Sequence, residues 1–170
     1  MALATISFSA KNETPAFEVD DHRPAITFDD WYSHILSHEG GLSNDTDDIS
    51  LKEYAYHTNK GITESTYKAL VDKPTEAGFK AMNEHRDIAM HFWNKVHSDD
   101  PKVRAFLAEE LWAGGYAALR HYRGIDDMQE LGKAKENRYI ALSKVKPKYK
   151  KGWAKRNSNF IKLLNRFRDD

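Results

Sequence analysis

Cysteine is absent from all 170 residues. That excludes a disulfide scaffold, thiolate zinc sites and a cysteine nucleophile, although it does not choose a compartment. No run approaches the roughly 18 consecutive apolar residues that a membrane span requires. The first 30 residues lack a basic start followed by an apolar run, so no secretory signal is visible. Proline is scarce, at five residues, and no internal repeat or low-complexity tract interrupts the chain. Net charge is missing too, because 26 Lys and Arg balance 26 Asp and Glu.

What the chain does have is aromatic residues and unevenly placed charge. Four Trp, eight Tyr and eight Phe within a 40% apolar composition can fill a sizeable core, which excludes wholesale disorder. The length suits one domain. Residues 1–132 carry 13 basic against 23 acidic side chains, whereas residues 133–170 carry 13 against 3. A basic segment of this kind points to an anionic partner: nucleic acid, anionic lipid or an acidic wall polymer. A solvated basic helix packed on an acidic body gives the same count. The lysines lack the aromatic interleaving of a single-strand binder, and no Gly-rich phosphate loop or serine elbow is present. No nucleic-acid partner is therefore assigned.

Periodicity predicts a mainly α domain with one small β element near its front. Residues 1–26 read as an extended arm with a short strand at Thr5–Ser9, where Ile6 and Phe8 alternate with polar residues. Thr27 and Asp30 form a short capping box for the first helix. Its apolar stripe is Phe28, Trp31, Tyr32, Ile35 and Leu36, and left-handed Gly40-Gly41 ends it. Tyr54, Tyr56 and Thr58 alternate across 53–58 and predict a hairpin arm. Helices follow over Thr63–Val71, 75–97 and 101–122. The last opens on Asp100 as N-cap with Pro101 behind it. It carries Val103, Phe106, Leu107, Leu111, Trp112 and Leu119, with a break at Gly114-Gly115. The basic segment reads as helices over 133–145 and 152–167, parted by Pro147. Trp153, Phe160, Ile161, Leu164 and Phe167 supply the buried face of the second.

Glu39 continues the first helix's stripe at its last turn. Partial desolvation and the negative end of the helix dipole both disfavour a charged carboxyl there, which suits a general acid. Nine residues later, in a polar loop that keeps carboxylates ionised, sits Asp48, with Asp45 and Asp47 beside it. Two carboxyls in contrasting environments divide the labour of glycoside hydrolysis. An exposed helix-end Glu with Asp turn formers reads the same way locally.

The stretch Ile35-Leu36-Ser37-His38-Glu39-Gly40-Gly41-Leu42-Ser43-Asn44-Asp45, then Asp48, then Thr58-Asn59-Lys60-Gly61-Ile62-Thr63, resembles glycoside hydrolase family 108. This family of phage endolysins and secretion-associated muramidases belongs to the lysozyme-like superfamily. The resemblance covers residues 28–70 most specifically, with His91-Phe92-Trp93, Leu111–Gly115 and Gly152-Trp153 matching loosely. It implies an α+β lysozyme-like fold: a helical bundle with a small hairpin near the active site. It divides the chain into an arm (1–26), a catalytic region (27–132) and a basic helical segment (133–170) packed on the same domain and binding peptidoglycan. The implied activity is hydrolysis of the β-1,4 bond between N-acetylmuramic acid and N-acetylglucosamine, without metal or organic cofactor. Glu39 falls on the family's catalytic Glu, Asp48 on its Asp and Thr58 on its Thr. The family's Pro-Gly-Gly after the Asp is missing and Ile49–His57 is longer than the usual link, which leaves Asp45 and Glu53 as rivals to Asp48. Asn44, Asp45, Tyr54, Tyr56, Asn59 and Trp93 are the substrate-binding candidates, with Trp112 and Tyr116 as further groove aromatics. His34 and His38, and the series His85, His91 and His97, have metal-like spacings but no zincin order, so no metal site is assigned. The resemblance further implies a monomeric phage endolysin without a signal peptide. It would wait in the host cytoplasm for a holin-dependent route to the wall, or ride in the virion. A non-catalytic wall-binding or virion module of the same fold, and a lytic transglycosylase, are the alternatives.

Overall fold

Thr27 starts the first helix as expected. Its side chain accepts from the Asp30 N–H at 3.3 Å, and the Asp30 carboxylate accepts from the Thr27 N–H at 2.9 Å, so the short Asp does close the box. The computed structural model describes residues 22–44 and 53–168. The expected strand at Thr5–Ser9 lies outside these residues, as do Asp45, Asp47 and Asp48. Residues 22–27, the described end of the expected arm, form no helix or strand. Arg23 donates to the Asn165 carbonyl at 2.9 Å and Pro24 accepts from the Arg168 N–H at 3.2 Å, tying the chain's front to its far end.

Among the described residues there are seven α-helices and one two-stranded antiparallel sheet, and 66% of those residues are helical. The fold is the mainly α, lysozyme-like arrangement expected. In chain order the elements are α1 (Phe28–His38), β1 (Thr58–Asn59), β2 (Ile62–Thr63), α2 (Glu64–Leu70), α3 (Glu76–Ala81), α4 (His85–Asn94), α5 (Pro101–Leu119), α6 (Met128–Val145) and α7 (Lys150–Leu164). Helix α1 packs against α4, α5 and α7, and α6 lies along α7. No helix among the described residues is long and apolar enough to cross a membrane.

The core between α1, α4 and α5 is aromatic. The Trp31 ring lies 5.5 Å from Trp93 and 6.2 Å from Trp112, edge-on to the latter, and Phe92 meets Trp112 at 5.3 Å. Each such side chain removes roughly 150–250 Å² from water. Behind the sheet, Tyr67 and Phe79 make a smaller apolar centre with their rings 5.4 Å apart.

Several local expectations are corrected. Leu36 is 47% exposed; His34 takes its place inside, because Phe160 of α7 packs on the His34 ring at 5.2 Å. Helix α1 ends on Glu39 in extended conformation, without positive φ at Gly40 or Gly41. The hairpin sits later than 53–58. Lys60 and Gly61, at φ 46 and 79, are the two positive-φ residues that a type I′ turn demands, so the strands flank them. Ser43 bridges β1 from the other side. The single helix expected over 75–97 is two, because left-handed Met82 (φ 49) caps α3 and buries its side chain. Helix α6 begins five residues early, with the Asp127 carboxylate accepting from the Glu130 N–H at 2.8 Å. On α7, Ile161 is 49% exposed and Trp153 is half-buried, its ring stacked on Tyr139 at 6.0 Å. The break within α5 is present: Gly115 has φ 63 and non-helical geometry.

Candidate active site

Several elements converge on Glu39. Its N–H still bonds the Ile35 carbonyl at 3.0 Å, but its extended backbone turns the side chain off the end of α1. One carboxylate oxygen, Oε1, accepts from Trp112 Nε1 of α5 at 2.8 Å and from Arg156 Nη1 of α7 at 2.9 Å. The side chain is 11% exposed, so it is sheltered yet open to solvent. The hairpin turn presses on it directly: a Cβ on Gly61 would land inside the Glu39 carboxylate. Only glycine combines that close approach with the positive φ.

His85 of α4 braces the same turn. Its Nε2 donates to the Lys60 carbonyl at 2.9 Å, so Nδ1 is the acceptor for the Tyr32 hydroxyl at 3.1 Å. Burial lowers His85 below the ordinary histidine range, which favours the neutral ring that this bonding needs.

Behind Glu39 lies a buried ion network. Arg156 Nε donates to Glu109 Oε1 at 2.7 Å, so one guanidinium serves two carboxylates. Burial alone would raise Glu109, but the neighbouring His34 and the Arg156 guanidinium outweigh it and hold the carboxyl well below its usual range. Next to it on α5, Glu110 is 0% exposed. Its Oε2 accepts from the Tyr122 hydroxyl and from Arg138, both at 2.8 Å. Lys135 Nζ stands 2.8 Å from Oε1. Helices α1, α5, α6 and α7 are thereby joined through charge at the floor of the site.

A family model described as glycosyl hydrolase 108 matches residues 32–112. This region belongs to that family. No curated protein and no solved structure matches the chain. The chemistry of a glycosyl hydrolase is cleavage of glycosidic bonds, and the matched stretch contains Glu39, the hairpin, Glu109 and Trp112. Arg156 reaches the glycosyl hydrolase region from outside it.

The other expected site residues are dispersed. Asp48 and Asp45 lie outside the described residues. Glu53 pairs with Lys68 at 2.5 Å, while its N–H and that of Tyr54 bond the buried Glu64 carboxylate at 3.0–3.1 Å. Thr58 is half-buried on β1 and Asn44 is exposed beside the Ser43 bridge. Asn59 is buried and donates to the Phe79 and Lys80 carbonyls at 2.7 and 3.1 Å, so its amide braces the sheet on α3. Tyr54 and Tyr56 are half-buried, with Lys68 and Lys80 over their rings at 4.3 and 5.6 Å. Trp93 is core, between Trp31 and Arg104. Trp112 is also nearly buried, with its indole N–H engaged by Glu39. Tyr116 is exposed and lines a separate depression with Val96 and Arg123.

His34 and His38 stack at 4.4 Å, but no group of three or more His, Asp or Glu among the described residues is arranged to hold a metal ion. Sequence reasoning missed Arg156, Glu109 and Glu110, and two signals marked them. Glu109 and Glu110 interrupt the apolar run from Ala105 to Trp112, where charge is tolerated only if paired. Arg156 lies three residues after Trp153 and four before Phe160, on the inward stripe of α7.

Proposed function

We propose that the protein is an N-acetylmuramidase that cleaves the β-1,4 bond between N-acetylmuramic acid and N-acetylglucosamine in peptidoglycan. The observation that supports this most directly is the Glu39 carboxyl: sheltered, solvent-reachable and gripped from α1, α5, α7 and the hairpin, inside the glycosyl hydrolase region. Catalysis requires a carboxyl held to within a fraction of an ångström of the leaving oxygen. In this reading Glu39 protonates the glycosidic oxygen. Asp48 stabilises positive charge at the anomeric carbon or activates water, with Asp45 and Glu53 its rivals, and Thr58 positions that water. For its use we propose a phage endolysin, held in the host cytoplasm until a holin-type opening admits it to the wall, or carried in the virion.

Glu39→Gln tests the reading. Loss of a general acid forfeits ~10²–10⁴-fold in rate, so turbidity loss of a wall suspension should stop while the melting temperature stays near that of the wild type. Wild-type rates in this variant overturn the assignment. Mass spectrometry of the digest separates the outcomes further: reducing muramic ends support a hydrolase, and anhydromuramic ends replace it with a lytic transglycosylase.

A further inference from the structure

A general acid must alternate between charged and protonated forms, yet Glu39 is bonded to a largely sheltered arginine, 20% exposed. A sheltered guanidinium left without a carboxylate whenever Glu39 took a proton would be disfavoured. The geometry at Arg156 removes that difficulty. Nε and Nη2 share the edge of a guanidinium that forks a carboxylate with two parallel bonds. On that edge, Nε already donates to Glu109 Oε1 at 2.7 Å. Arg156 Nη2 and Glu109 Oε2 are both buried with no hydrogen-bond partner among the described residues. Two orphaned atoms on adjoining groups mark a second bond that a small rotation would close.

We propose that Glu109 is a positioning residue that sets the protonation of Glu39 through Arg156, closing into a two-bond fork on the guanidinium when Glu39 gains its proton and sharing it when Glu39 is charged. The proton comes from solvent after each turnover, and no other bond is made or broken. Arg156 thus keeps a carboxylate partner in both states.

The surroundings support this division. Facing Glu39 are Arg156 from α7, Trp112 from α5, Gly61 of the hairpin turn and, were it protonated, the charge of His85 of α4. Facing Glu109 are His34 from α1, Lys135 from α6 and Arg156 from α7, with Tyr139 of α6 also in its field. Glu110 next in chain pairs with Arg138 and with the same Lys135. Glu109 is therefore the member of the pair that its surroundings hold as an anion.

The role assigned to Glu39 rests on the muramidase reading, so the test includes a readout that needs no activity. Glutamate carboxyl carbons are labelled, the Glu39 signal is identified by its loss in Glu39→Gln, and its titration is followed by NMR beside the pH profile of kcat/KM. In Glu109→Gln the guanidinium has Glu39 alone, so the titration and the alkaline limb should both move to lower pH by about one unit or more. In Arg156→Met, Glu39 faces Glu109 without the cation, so both should move the other way. Shifts in one direction, or none, overturn the proposal. Should Glu109→Gln not fold, the wild-type exchange measurement decides. The wild type gives a third check: Arg156 Nε–H should stay protected from exchange across the Glu39 titration, and loss of protection on the acid side overturns the proposal. An active Glu39→Gln sinks the muramidase reading and leaves the titrations standing. A dead Glu39→Gln with unmoved titrations sinks the coupling alone.

Discussion

The region matched by the glycosyl hydrolase family and the basic helices behind it share one apolar core but differ in how much buried charge they bring to it. Residues 32–112 close around stacked and edge-on aromatic rings, Trp31, Trp93 and Trp112 foremost. Residues 128–168 add Leu131, Phe160, Leu164 and Phe167 to the same core, but they also join that body through ions: Lys135, Arg138 and Arg156 turn inward onto Glu109 and Glu110. Charge counting treats every cation after residue 132 as surface. Three of the thirteen are instead buried or nearly buried structural partners of α5, and one of those three touches Glu39. An excess of basic residues can therefore be partly an interior feature, answering carboxylates hidden in an apolar helix.

The sharpest way to test the contrast is to remove the anion on which the rear region closes. Glu110→Ala strands Lys135, Arg138 and the Tyr122 hydroxyl in the interior. Breaking one partner of a buried ion set costs about 3–5 kcal/mol, which should appear as a large fall in the urea midpoint. Replacing Glu110, Lys135 and Arg138 together by apolar residues of similar volume should recover most of that loss, because the desolvation cost disappears with the charges. A single substitution costing less than about 1 kcal/mol, the range of exposed pairs, would mean that the network is not what joins the two regions.

The second test strikes the front region where packing and chemistry touch. Gly61→Ala places a methyl against the Glu39 carboxylate and forces an L-residue into a left-handed conformation. The backbone term is roughly 1–2 kcal/mol, a modest loss of melting temperature. Displacing the acid by about 1 Å costs on the order of 10²-fold in rate. Activity on peptidoglycan should therefore fall far more than stability. Equal losses, converted to free energy, would show that the turn supports the fold alone.

How much of this was legible in the sequence follows the range of each interaction. The Thr27–Asp30 box, the Asp100-Pro101 start, the break at Gly115 and the place of Glu39 at a helix end are all signals within a turn or two of the chain. The hairpin was displaced because alternation at Tyr54, Tyr56 and Thr58 outweighed the turn chemistry of Lys60-Gly61, although positive φ at both residues fixes the strands. The stripe pattern puts Leu36 and Ile161 inside because it gives a helix face, whereas the neighbour that covers that face decides its edge. Phe160 covering His34 left Leu36 outside. The partners of Glu39 lie 73 and 117 residues away in the chain, and no periodicity reaches that far. Their trace was only the oddity of charge at inward positions: Glu109 and Glu110 in an apolar run, and Arg156 on the buried stripe of α7.

The smallest expected effect concerns the cations that do face solvent. Lys146, Lys148, Lys150 and Lys151 are exposed around the turn between α6 and α7, away from the buried set. Clustered exposed charges raise the local concentration of an anionic polymer and its on-rate without entering the chemical step. Peptidoglycan stem peptides carry negative charge, and attraction between exposed groups is screened beyond ~8 Å at physiological ionic strength. Neutralising the four lysines should raise the wall concentration needed for half-maximal lysis and flatten its dependence on added salt. The rate on saturating wall should hold, because Arg156 and its carboxylates are untouched. This separates the two roles of the basic segment within one experiment. If saturating turnover collapses with the surface lysines, capture and catalysis are not divided between outward and inward cations, and the contrast drawn from Arg156 fails at the surface.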